Sequence, residues 1–308
     1  MHIFSFGIIL YFSLIYFYNN QSSFVDIFFM IYYNNIMTNL FENLTLDRVA
    51  FTVFGMPIYW YGIIITFAIM LVFGLSFLLC KRKKLSPNLP YEIIVAILPL
   101  GILSARLFSV LFDSGLTIAD YFKFREGGMS IIGAIIGGLI GIIILCLIRK
   151  HNFLEVADLI VTMLILAQGI GRWGNFANGE VYGQVVTNPS LQFFPYAVNI
   201  DGTFYEALFF YESVLDVLGF VGLICIYWFT KQKGLCLGTY LVYYGTIRAI
   251  LETRRQSEYI LKLGSLPISQ LMSFAMIACG IGVFVYVLVK ELKNKGKKDE
   301  TEKVLHTN

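Results

Sequence analysis

Apolar residues in this chain do not alternate with polar ones; they gather into runs about as long as a membrane crossing. A bilayer core takes about 20 apolar residues per helical span, and seven runs of that order follow one another, at 58–80, 92–112, 129–148, 155–171, 208–230, 236–253 and 267–289. The pattern predicts an all-α membrane protein, a seven-span helical bundle. Basic clusters fall at alternate connections: Lys81 to Lys84, Arg149 with Lys150, Lys231 with Lys233, and six lysines from Lys290 to Lys303. By the positive-inside rule that side is cytoplasmic, so the first span starts outside and the C-terminus lies inside. The outer side then carries short connections at 113–128 and 254–266, and one long insertion at 172–207. Gly, Asn and Pro punctuate the insertion between strand-like stretches, which predicts a small outer-side cap between spans four and five. The layout expected is a multi-span domain over 37–290 followed by a basic cytoplasmic tail at 291–308.

Residues 1–36 stand apart. They are rich in Phe, Tyr, Ile and Asn, and no basic region precedes their apolar run as a signal peptide requires. Either they form an extra helix, or translation begins at Met37 and the upstream residues reflect a mis-set start in an AT-rich genome. The second reading is preferred, because an eighth span would leave the N-terminus inside with no positive charge to hold it there.

Composition agrees with lipid as the main solvent. Hydrophobic residues make up 57% of the 308 and charged residues 14%, against about 25% charged in soluble domains. The net charge of +3 is mild, and a nucleic-acid partner, which needs a clustered basic face, is not expected. Five cysteines are scattered in apolar runs without CxxC pairs, so they read as buried thiols, and no metal site is expected. The only histidines are His2, His151 and His306.

An ionisable group inside a membrane helix is costly and has to pair or to serve a function. Arg106 lies in the second run, Asp158 in the fourth, Glu212 and Asp216 in the fifth, and Arg248 with Glu252 in the sixth. Arg248 and Glu252 are four apart, and Tyr244 and Arg255 continue their stripe, so one face of an apolar helix carries a polar seam. The densest stretch is Gly171 to Gly183, GRWGNFANGEVYG, which sets Arg172, Asn175, Asn178 and Glu180 among four glycines. Two readings stay open. One is a phosphate-recognising loop at headgroup level, where glycine lets backbone amides approach an anion and arginine supplies a matched fork of donors. The other is an outer turn with Arg172 snorkelling to the interface. Gly133, Gly137 and Gly141, at intervals of four, read as a helix-packing stripe.

GRWGNFANGEVYG resembles the signature of the prolipoprotein diacylglyceryl transferases. The likeness extends over almost all of 55–290: IYWYG at Ile58 to Gly62, SAR at Ser104 to Arg106, GGMS at Gly127 to Ser130, AD at Ala157 and Asp158, YES at Tyr211 to Ser213, YGTIRAILETRR at Tyr244 to Arg255, and LPISQ at Leu266 to Gln270. The resemblance implies transfer of the diacylglyceryl group of phosphatidylglycerol to the thiol of a prolipoprotein lipobox cysteine, with release of glycerol 1-phosphate. It implies no cofactor and a place in the bacterial cytoplasmic membrane with the active site toward the outer side. By position, Arg172 matches the family arginine that binds the lipid phosphate and Arg248 the second essential arginine. Tyr61, Asn175, Glu180, Gly183 and Glu252 match other positions of the site, and Asn178, Arg106 and Arg255 are expected at the substrate. Two departures stand out: Ile132 occupies the place of a family His or Tyr, and Glu206 the place of a family His. With no imidazole on the outer side, a protein base has to be a carboxylate, a tyrosine or relayed water, and Glu180 is the first candidate. The alternative class is a membrane transporter or channel, whose pathways are also lined by intramembrane charges. The absence of an obvious repeat between halves 55–171 and 172–289 argues against it.

Overall fold

The computed structural model describes residues 48–306 apart from 113–114, 124–127, 181, 257–261 and 264–265, so the expected extension at 1–36 lies outside the described residues. A hairpin that the apolar pattern did not announce comes first, β1 (Val49–Val53) against β2 (Met56–Tyr59). Among the described residues, seven α-helices follow: α1 (Trp60–Lys83), α2 (Leu89–Phe112), α3 (Ile131–Arg149), α4 (Phe153–Asn178), α5 (Leu208–Phe229), α6 (Leu235–Glu252) and α7 (Ile268–His306). Six are long and apolar enough to cross a membrane. The exception is α6. Its 18 residues would span about 27 Å at 1.5 Å each, but Tyr240, Tyr243, Tyr244, Arg248 and Glu252 lower its hydropathy. The polar seam and the shortfall in apolarity are one feature. Large apolar side chains such as Val95 and Leu147 stand 71% and 74% exposed on the helix surfaces, as a lipid-facing bundle requires.

Helix α4 is the pillar of the bundle. Half of its spanning window is buried, against a third or less for the other spans, and α1, α3, α5 and α6 all pack on it. Leu79, Leu159, Ile165, Leu223 and Tyr240 fill the core around it. Asp158, near its start, caps a neighbour: Gly234 N–H and Leu237 N–H at the opening of α6 donate to its carboxylate at 2.6 and 2.8 Å. A helix N-terminus leaves such donors unpaired, and here an acidic side chain from another helix satisfies them.

The glycine-rich segment corrects one expectation. The insertion expected at 172–207 does not begin at 172, because α4 stays helical through Asn178 and only then turns, at Gly179 with φ +66°. The earlier glycines are contact points. A Cβ on Gly169 would stand 3.1 Å from Asp216 Cβ, and one on Gly174 would stand 2.8 Å from the Tyr61 ring. They bring α5 and α1 close to α4. Residues 182–207 fall outside the compact unit made by 48–181 and 208–308, and within them β3 (Ala197–Ile200) pairs with β4 (Thr203–Glu206). Gly183 lies in this segment, where its N–H donates to the Glu206 carbonyl at 3.0 Å. Two of the cysteines expected to be buried, Cys225 and Cys279, are exposed on outward helix positions.

The stripe on α3 packs as expected of small residues in a membrane. A Cβ on Gly137 would fall 2.3 Å from the Leu100 carbonyl oxygen, whereas one on Gly138 would meet only Ile97 Cγ2, at 3.5 Å. Backbone cannot step aside, so Gly137→Ala is expected to cost about 1–3 kcal/mol, while Gly138→Ala is neutral or better. Unfolding midpoints in detergent would check the pair, and equal effects would contradict this packing.

Candidate functional site

A network of charges joins α4, α5, α6 and the start of α7. Glu212, on α5 and 4% exposed, holds two arginines on its two oxygens. Arg172 of α4 pairs through Nε with Oε2, and Arg248 of α6 through Nη1 with Oε1 at 2.8 Å. The guanidinium groups of two different helices therefore meet on one carboxylate. Arg248 Nη2 also donates to Glu252 Oε2 at 3.1 Å, one turn along its own helix. Glu252 further takes Arg255 at 3.5 Å and the Ser269 hydroxyl. Burial first, then the like charge of Arg248, push the Arg255 guanidinium below its ordinary value.

Aromatic residues fix this arrangement from behind. Arg172 Nη2 donates to the Tyr244 hydroxyl at 3.2 Å, and the Tyr244 ring stacks on Tyr240 at 5.4 Å between centroids. The Tyr240 hydroxyl in turn donates to Gln168 Oε1 at 3.2 Å. Trp173, next to Arg172, donates to Ser213 Oγ at 3.1 Å, beside Glu212. These bonds remove rotamer freedom before any ligand arrives, which is how a polar site is preorganised. Asp216 lies one turn beyond Glu212 on α5, within electrostatic reach of Arg172 and Arg248.

The network is not sealed. The Arg172 and Arg248 side chains retain 16% and 14% exposure, and Arg172 Nη1 and Arg248 Nε bond to no described residue. Spare donors on two adjacent guanidiniums suit an anion with several oxygens.

Glu180 sits just past the C-terminus of α4. Its Oε1 accepts from Asn178 Nδ2 at 3.2 Å and from Asn175 Nδ2 at 3.5 Å. The negative end of a helix disfavours a carboxylate, and the two amides offset that. Tyr61, at the start of α1, lies against Gly174 and within the fields of Glu180 and Arg172. Of the positions singled out in the sequence, Arg172, Arg248, Glu252 and Arg255 are joined in one network, and Tyr61, Asn175, Asn178 and Glu180 gather at the end of α4. Glu212, which holds the network together, was flagged in the sequence only as an intramembrane carboxylate and not as a site residue, and Ser269 was not flagged individually.

Arg106 works elsewhere in the fold. Fully buried, it donates from Nε and Nη2 to the Asp120 carbonyl at 3.2 and 2.7 Å, and from Nη1 to the Gly128 carbonyl at 3.0 Å. It ties the connection between α2 and α3 to α2. Gly128 has φ +67°, and a Cβ there would fall 2.9 Å from Arg106 Nη1, so this glycine answers a turn and a close approach together. In the same connection Lys123, then Thr117, holds the Asp120 carboxyl well below the usual carboxylate range.

Comparison with known proteins agrees with this picture. The profile of the family described as prolipoprotein diacylglyceryl transferase matches residues 48–286. A relative from Finegoldia magna, named phosphatidylglycerol–prolipoprotein diacylglyceryl transferase, is 36% identical over 83% of this chain and 100% of its own length. Proteins of the same name from Clostridium novyi and Clostridioides difficile are 35% and 34% identical, each over 81% of this chain and 98% of theirs. The chain belongs to the prolipoprotein diacylglyceryl transferase family.

Proposed function

We propose that the chain transfers the diacylglyceryl group of phosphatidylglycerol to the thiol of a prolipoprotein lipobox cysteine, releasing glycerol 1-phosphate, the first step of bacterial lipoprotein maturation. The observation that carries this reading is the meeting of Arg172 and Arg248 on Glu212. A phosphodiester headgroup is a single anion with two free oxygens, and the spare donors of the two guanidiniums can share it. The relatives carry the transferase name, and no observation favours the transporter alternative.

The chemistry needs two things that cations supply. Cysteine thiolate is the nucleophile, and a thiol of ordinary pKa, about 8.5, is only a small fraction ionised at neutral pH. Neighbouring guanidiniums favour the anion. When sulfur attacks the glyceryl carbon, a C–S bond forms and the bond from that carbon to the phosphate oxygen breaks. The thiol proton goes to a base, and the headgroup passes from a phosphodiester monoanion to a phosphomonoester with one more negative charge. Groups that hold a monoanion hold the richer anion more strongly, so Arg172 and Arg248 stabilise the transition state beyond the bound lipid.

The base is Glu180 in this scheme, since Ile132 offers no ionisable group and the carboxylate of Glu180 is held in place by Asn175 and Asn178. Glu180→Gln is expected to lower turnover by about 10²–10⁴-fold and to remove the acid limb of its pH profile; a parental pH profile would exclude it as base. Asn178, Gly183, Glu252 and Arg255 are proposed to bound the substrate, Tyr61 and Asn175 to line the reacting end, and Arg106 to act by fastening the α2–α3 connection. The membrane is the bacterial cytoplasmic membrane in this proposal, with all seven helices crossing, the site and the 182–207 cap toward the outer side, and the C-terminus cytoplasmic. Mass spectrometry of a lipobox peptide incubated with purified protein and phosphatidylglycerol tests the activity. A mass gain of one diacylglyceryl group on the cysteine is expected; an unmodified peptide beside a working control enzyme would refute it.

A further inference from the structure

At the end of the bundle where the basic clusters lie, a cavity of about 390 Å³ opens between α1 and α5. Leu75, Leu78, Leu79, Ile224 and Trp228 make its apolar wall, and Lys81 and Arg82 stand at its rim. Both helices pack on α4, which leaves this lateral groove between their ends. The volume falls within the range of about 300–1,000 Å³ typical of small-molecule sites.

The rim is held in place. Arg82 Nη2 donates to the Trp228 carbonyl at 2.9 Å, and its guanidinium lies over the Trp228 ring at 5.2 Å. Lys83 bonds the Thr230 carbonyl and lies 5.0 Å from the Tyr227 ring centre. An arginine fixed on an indole loses less freedom when it takes a ligand. Its remaining donors, on Nε and Nη1, bond to no described residue.

Charge compensation singles this rim out. Two of the other basic clusters are answered by acids: Arg149 pairs with Glu92, and Lys233 pairs with Glu155 at 2.8 Å. Among the described residues, Lys81 and Arg82 meet no carboxylate. An apolar groove ending in uncompensated cations complements a molecule with an apolar chain below an anionic head, and basic pockets between membrane helices bind anionic lipid headgroups in this way.

We propose that this groove binds an anionic glycerophospholipid, with an acyl chain along Leu75, Leu78 and Ile224 and the phosphate at Lys81 and Arg82. The site is separate from the charge network at Glu212. Tyr61 and Lys81 are twenty positions apart on α1, about 30 Å of helix, so this lipid occupies the opposite leaflet.

Fluorescence quenching tests the proposal on the full chain in phosphatidylcholine vesicles. Trp228 emission is taken as the difference between the parent and Trp228→Phe, and the quenchers are dibrominated phosphatidylglycerol, phosphatidic acid and phosphatidylcholine. Both anionic lipids are expected to quench Trp228 up to about thirtyfold more effectively per mole than phosphatidylcholine, as about 1 kcal/mol of attraction for each of Lys81 and Arg82 implies. The preference is lost in Lys81→Gln/Arg82→Gln and kept in Arg82→Lys, while the rate of transfer to a lipobox peptide is unchanged in both. Equal quenching by all three lipids in the parent, or a preference that survives the double glutamine variant, would overturn it. Quenching reports binding alone, so this outcome is independent of the proposed transfer reaction.

Discussion

Arg172→Ala and Arg248→Ala, each alone, are expected to lower transfer to a lipobox peptide by about 10²–10³-fold, the cost of removing one donor aimed at developing charge. The two guanidiniums share Glu212 and, in the proposed reaction, one phosphate. Their effects should therefore not add: the double variant should be much less impaired than the product of the two single losses, with a coupling of about 0.5–3 kcal/mol. Arg→Lys at either position keeps the charge but loses the planar fork, and only partial rescue is expected. Steady-state kinetics with phosphatidylglycerol as the varied lipid reads all of these. Near-parental turnover in either alanine variant would remove that arginine from the reaction.

The second large effect is on stability. Glu212→Ala leaves Arg172 and Arg248 facing each other with their shared anion removed, in a place where Glu212 itself is 4% exposed. Breaking a buried ion pair by deleting one partner costs about 3–5 kcal/mol, because the remaining charge is left uncompensated. Glu92→Ala is the contrast. Its partners Arg149 and His151 are 55% and 24% exposed, and pairs with such solvated partners contribute only about 0–1 kcal/mol each. Equilibrium unfolding in detergent should separate the two variants by several kcal/mol. A Glu212 variant as stable as the Glu92 variant would mean that the network does not hold α4, α5 and α6 together.

The seven helices were legible in the apolar runs because a spanning helix needs an unbroken apolar stretch, and such a stretch has few other uses. Their ends were less so. Helix α7 continues to His306, well beyond the apolar run at 267–289, because Lys and Glu propagate a helix without needing lipid. The segment after Gly171 misleads for a different reason. Glycine reads as a turn in water, but Gly174 is where the Tyr61 ring comes against α4, and only Gly179 takes a left-handed φ. The polar seam on α6 was readable from its spacing of four. That Glu212 bridges it to Arg172 was not, since the sequence shows a carboxylate on α5 and says nothing of which helices flank it. Asp158 was flagged as a costly intramembrane charge, and its use, capping α6 across the bundle, is a tertiary fact of the same kind. Arg106 shows the limit of motif spacing, for its place in SAR does not reveal that its donors go to the carbonyls of Asp120 and Gly128.

The central claim is that Arg172 and Arg248 act on a single lipid headgroup. A structure of the protein with a non-reacting ether analogue of phosphatidylglycerol tests it most directly. The expected result is one phosphate with an oxygen within about 4 Å, the ordinary ion-pair limit, of each guanidinium. A phosphate held by one arginine, with the other still closed on Glu212, would contradict it.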